Sequence, residues 1–101
     1  MFLVYRICEG SDEYIPVMPD DALFDVFHRF YPHNLDLLHG TNDIVEYQVG
    51  DHYVDSGDWI KGYSTYYNRQ TREKVLVIDT LHDHTNPTIK RLIRDYRLSQ
   101  L

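Results

Sequence analysis

Cysteine is almost missing from this chain. Cys8 stands alone among 101 residues, so no intramolecular disulfide can form, and the usage fits a reducing compartment. Glycine is sparse too. Its five copies are scattered, and none forms a G-x-G-x-x-G or G-x-x-x-x-G-K pattern, which excludes the familiar phosphate-cradling loops. Long hydrophobic runs are lacking: Phe2-Leu3-Val4-Tyr5 is cut off by Arg6, too short for a secretory core or a membrane span. The expectation is a cytoplasmic protein with no membrane association. There are no repeats, low-complexity tracts or linkers, and the length suits a single domain, 1–101. A chain of this size buries somewhat over ~60% of its unfolded surface, enough for one core without staples.

Positive charge is scarce in the front of the chain. Residues 1–60 hold two arginines against twelve acids, a net of −10, while residues 61–101 hold eight Lys/Arg against four acids, a net of +4. Such asymmetry points to partner binding rather than to fold. Aromatics are plentiful at 14%, with nine tyrosines, a residue common at interfaces.

The strongest local pattern is a hairpin within residues 59–80. Trp59–Tyr67 alternates as a strand, Asn68–Glu73 is a polar turn, and Lys74–Asp79 is a second strand. The unbroken run Val75-Leu76-Val77-Ile78 suits a central strand buried on both faces. Gly62 marks a bulge or a close backbone approach. Phe2–Cys8 reads as a first strand, and Tyr14–Val17 as a short edge strand, since Pro16 cannot donate to a ladder. Met18-Pro19 opens a helix whose stripe is Leu23, Val26, Phe27 and Phe30, ending before Pro32. Leu35, Leu37 and Leu38 suggest a helical turn. Ile44–Val49 and His52–Val54 suggest a second hairpin about Gly50-Asp51, with residues 55–58 as a turn. Asn86-Pro87 starts a last helix, with a stripe of Ile89, Leu92, Ile93 and Tyr96. The expected class is α+β: an antiparallel sheet of about four to five strands with two helices packed on one face.

No catalytic signature emerges, and the expectation is a protein that is not an enzyme. Cys8 has no nucleophile motif around it and reads as a small buried hydrophobe. Asp79, His82, Asp83 and His84 have the donor types of a metal site, which would make a metal-dependent hydrolase at Asp79, His82 and His84, but their spacing matches no metal signature. No cofactor is implied. The basic residues Lys61, Arg69, Arg72 and Lys74 near the hairpin, with Lys90, Arg91, Arg94 and Arg97 on the last helix, suggest a nucleic-acid groove with Tyr63, Tyr66 and Tyr67 as stacking rings. The acidic residues suggest the reverse. Asp20, Asp21 and Asp25 on one helix, with Asp43, Glu46, Asp51, Asp55 and Asp58 about the second hairpin, can imitate a phosphate backbone and occupy a basic, nucleic-acid-binding surface of a partner protein. In size, acidity and aromatic content the chain resembles the small inhibitors that phages and other mobile elements direct against host defences. That likeness implies a protein-binding inhibitor. A homodimer joining the acidic half of one copy to the basic half of another is a further possibility.

Overall fold

A computed structural model describes residues 2–8, 10, 13–28, 48–58 and 62–101, with backbone alone at 48–49 and 54–58. The elements in chain order are β1 (Phe2–Ile7), β2 (Tyr14–Pro16), α1 (22–28), β3 (Gln48–Val49), β4 (His52–Asp58), β5 (Tyr63–Tyr67), β6 (Lys74–Asp79) and α2 (Pro87–Ser99). Among the described residues the sheet has six strands, ordered β2-β1-β6-β5-β4-β3, and every pairing is antiparallel. The class is α+β, as the alternation of patterns predicts.

The last strand, β6, lies in the middle, between β1 and β5. Its apolar run explains the layering. Val75 and Val77 pack with Val4, Tyr66 and Phe27 of α1. Leu76 and Ile78 pack with Leu3, Tyr5 and with Ile89, Leu92 and Ile93 of α2. Successive residues of a strand point to opposite faces, so the two helices cover opposite faces of the sheet. This corrects the expectation that both helices share one face. Shared packing would leave Leu76 and Ile78 in water, at about 1.5–3 kcal/mol for each exposed side chain.

Local chemistry sets the element ends. Asp21 caps α1: its Oδ1 accepts from the Leu23 N–H at 2.9 Å, so the helix starts three residues after Pro19 rather than at it. Leu23, Val26 and Phe27 face the core as the stripe predicts, joined by Phe24. Asn86 caps α2 through Oδ1, which accepts from Thr88 N–H at 2.9 Å and Ile89 N–H at 3.3 Å. Pro87 takes the first turn, where its missing N–H costs nothing. In the β5–β6 turn the buried Asn68 accepts from Gln70 and Thr71 N–H groups, and Arg72 adopts a left-handed φ of 59°.

Residues 55–58 are strand rather than turn. β4 runs through Asp58, with an irregularity between Val54 and Ser56 that leaves Asp55 out of the pairing, while Ser56, Gly57 and Asp58 oppose Thr65, Ser64 and Tyr63. Their poor strand propensity is overridden by pairing with β5. The expected strand start at 59–61, the end of the first helix at Phe30 and Pro32, the turn at Leu35–Leu38 and the first part of the Ile44–Val49 strand lie outside the described residues.

Candidate functional site

The acidic set divides on inspection. Asp21 is already paired. Arg6 projects from β1 and donates to both Asp21 oxygens, Nη1 to Oδ2 at 2.5 Å and Nη2 to Oδ1 at 3.1 Å. Its Nε donates to Glu73 Oε2 at 3.0 Å, and Glu73 Oε1 lies 3.3 Å from Nε2 of His52. The His52 side chain is 7% exposed and meets the Phe27 ring edge-on at 5.5 Å. Arg6 and the Leu23 N–H hold the Asp21 carboxyl below its ordinary range, and hydrogen bonding to Asp21 raises the Arg6 guanidinium. Asp21 therefore joins β1 to α1 and drops out of the adhesive surface expected for it. Asp20, Asp25 and Asp51 are exposed. A Cβ at Gly50 would lie 3.3 Å from Val26 Cγ1, so the β3–β4 turn carrying Asp51 abuts α1 at Val26. Asp43 and Glu46 lie outside the described residues, as do the side chains of Asp55 and Asp58.

The basic set also divides. Lys90, Arg91, Arg94 and Arg97 are all exposed on α2. Lys90, Arg94 and Arg97 line a hollow of about 340 Å³ together with Thr80, His82, Asp83 and His84 of the β6–α2 loop. Arg69 sits elsewhere, 4.7 Å from the centre of the Tyr53 ring, and Arg72 is exposed in the same turn. That turn and the hollow are at opposite ends of the six-residue β6, about 20 Å of strand. The single basic groove foreseen from the sequence is therefore two separate groups, and Lys61 lies outside the described residues. Nor do the three tyrosines form one stacking platform. Tyr66 is fully buried under α1, whereas Tyr63 packs toward α2 on the other face.

Asp79, His82 and His84 make local structure. Asp79 Oδ1 accepts from the Leu81 N–H at 3.0 Å, its Oδ2 lies 3.5 Å from His82 Nε2, and its main-chain oxygen is 2.6 Å from His84 Nε2. The carbonyl can only accept, so His84 donates through Nε2, which takes that nitrogen out of any metal set. Among the described residues no three His, Cys, Asp or Glu side chains gather as a metal site would require. Gly62 shows why the sequence placed glycine there. Its φ is +81°, and a Cβ would fall 2.5 Å from His82 Cγ, so β5 begins against the imidazole itself.

Comparison with protein-family models, curated proteins and solved structures finds no match. Function rests on the surfaces alone.

A larger cavity of about 660 Å³ lies between β1, β2 and both helices, with a mainly apolar lining that includes Tyr14, Phe24, His28 and Leu92. Tyr5 lines it as well; burial, then Asp95 and Tyr96, push its phenol up. Among the described residues no helix is long and apolar enough to cross a membrane. Sequence reasoning passed over Arg6, Glu73 and His52. The available signal was Arg6 itself, a lone cation in an otherwise apolar strand, which needs a partner once the strand is half-buried.

Proposed function

We propose that this chain is a small, non-enzymatic protein-binding module that occupies a basic, nucleic-acid-binding surface of a partner, as an inhibitor of the phage or mobile-element type would. One observation carries the reading. Helix α1, with the exposed carboxylates Asp20 and Asp25 at and beside it, and the basic helix α2 cover opposite faces of the sheet. Asp20, Asp25 and Asp51 are exposed, and among the described residues none of them forms an ion pair with a cation of α2. The partner's cations would meet carboxylates that are unpaired by α2 and spaced over a rigid surface. The lone Cys8 and the lack of a long apolar run fit a cytoplasmic setting.

The test is a triple exchange, Asp20→Asn, Asp25→Asn and Asp51→Asn, that leaves Asp21 in place. The wild type is expected to displace nucleic acid from its captured partner, with displacement fading in the triple variant and in high salt. Capture indifferent to both changes removes the reading.

A second reading is supported by the four exposed cations of α2: binding of nucleic acid by that helix. It predicts a mobility shift at low salt that is lost when Arg91, Arg94 and Arg97 become Gln. The opposed faces also suit head-to-tail self-association, which sedimentation at low and high salt would detect as a salt-sensitive increase in mass.

A further inference from the structure

We propose that the hollow beside α2 is a phosphomonoester-binding site, taking the terminal phosphate of a nucleotide or of a nucleic-acid strand. The proposal rests on the nucleic-acid reading only where the ligand is a strand; a free nucleotide would fill the site without it.

Lys90, Arg94 and Arg97 fall at i, i+4 and i+7, one stripe of a helix. All three line a single hollow of about 340 Å³ rather than spreading along a groove. That volume is within the range of small-ligand sites, about 300–1,000 Å³. Arginine offers a planar fork that matches phosphate oxygens two at a time, and lysine adds a point charge. Ile93 and Leu98 form an apolar wall of the hollow suited to a sugar or base.

Charge selects the ligand class. Three cations face one carboxylate, Asp83, in the hollow, leaving two positive charges when the histidines are neutral. A phosphomonoester carries about −1.5 to −2 near neutral pH and matches this. A backbone diester carries one negative charge and leaves one cation uncompensated. Arg94 has a 3.6 Å contact with Asp95 on its own helix, with both side chains more than half exposed, so it is open to a stronger anion.

The helix supplies an independent observation. The first turn of α2 contains no acidic residue, and Lys90 and Arg91 follow it directly. Cations near a helix N-terminus oppose the macrodipole. This order is unfavourable for an isolated solvated helix, and an anion held between Lys90 and Arg94 would offset the repulsion.

The test uses the full chain and fluorescence anisotropy at about 50 mM salt. The probes are a labelled single-stranded DNA of about twelve nucleotides bearing a 5′-phosphate, the same strand with a 5′-hydroxyl, and adenosine 5′-monophosphate carrying a fluorophore on its ribose. The expected result is binding of the phosphorylated strand roughly fivefold or more tighter than its hydroxyl twin. The preference should vanish in Lys90→Gln/Arg94→Gln, with Arg97→Gln as a second variant and circular dichroism showing the fold retained. Equal binding of both strands overturns the site and leaves the nucleic-acid reading standing. Binding of adenosine monophosphate alone, lost in the variants, supports the site and removes the strand as its ligand. Failure of all three probes to bind overturns both.

Discussion

Arg6 grips both carboxylate oxygens of Asp21 and thereby ties β1 to the first turn of α1. The same guanidinium reaches Glu73, the residue before β6. One cation thus fixes two elements that adjoin the α1-side core. The pairing explains why an apolar strand tolerates an arginine, and why Asp21 belongs to the fold rather than to the surface that its neighbours Asp20 and Asp25 present.

A double-mutant cycle on Arg6→Gln and Glu73→Gln should therefore show coupling. The side chains are about one-third exposed, so solvent screening puts the value toward the lower end of the usual range, about 0.5–3 kcal/mol. Urea denaturation of the four proteins measures it. Additive single effects would mean that the contact contributes nothing to stability.

The pH dependence follows from two groups. Burial lowers the His28 pKa, so the folded state holds its proton less tightly than the unfolded chain does. Stability should then fall as pH drops from about 6.5 toward the lowered value. Asp21, held below its ordinary range mainly by Arg6, acts in a lower window. Its contribution is fully present above about pH 4 and is lost as pH falls through its depressed value. Thermal melts across pH 7 to pH 2 (approximate endpoints chosen to span both windows) should show a shallower upper step in His28→Gln and a shallower lower step in Asp21→Asn. Unchanged profiles would contradict both assignments.

The division of the helices between the two faces gives a packing prediction. Val77→Ala and Ile78→Ala sit side by side in β6, yet both residues are fully buried under different helices. Each should be costly, with Ile78→Ala at roughly 2–5 kcal/mol and Val77→Ala somewhat less. Were both helices on one face, one of the two would be a surface change within about ±0.5 kcal/mol. Chemical denaturation distinguishes the cases.

That division was present in the sequence and was not drawn from it. The run Val75–Ile78 demanded burial on both faces, and only two amphipathic helices were available to provide it. The stripes, the Asn86-Pro87 start and the β5–β6 hairpin were legible because each is local: periodicity, a cap and a turn within a few residues. The long-range partners were not. Nothing local in Arg6 says that it meets Asp21 and Glu73, 15 and 67 residues away. Nor does it say that Arg69 would leave the α2 cations for the Tyr53 ring. The strand at 55–58 was missed for the same reason: its pairing with β5 is tertiary, and its residues alone argue for a turn. The charged faces were half legible, since the sequence supplied the residues but not which of them neutralise one another.

Gly62 tests whether the β6–α2 loop depends on close approach of the backbone. With φ at +81° and no room beside His82, Gly62→Ala should destabilise the protein by about 1–3 kcal/mol through strain and displacement of the imidazole. The Asp79 N–H bond to the Gly62 carbonyl, 2.8 Å, should weaken with it. Amide hydrogen exchange at Asp79 and the His82 ring resonances report both effects. A variant with wild-type melting and unshifted His82 signals would show that the loop accommodates a side chain there.

The first turn of α2 offers a way to separate stability from binding. Thr88 follows Pro87 in a turn that lacks an acidic residue, so Thr88→Glu places a carboxylate where the macrodipole favours it. It should raise stability by about 0.3–1 kcal/mol at low salt, or roughly 1–8 °C in melting temperature for a domain of this size. The same carboxylate lies one turn or less from Lys90 and Arg91, where it lowers the potential available to an anion. Phosphate-dependent binding should therefore weaken while the melting temperature rises. Most substitutions that damage a site by damaging the fold move both quantities in the same direction, so opposite signs would identify the cationic N-terminal half of α2 as a feature retained at a cost to helix stability. A gain in stability with unchanged binding would instead make those cations an ordinary solvated face.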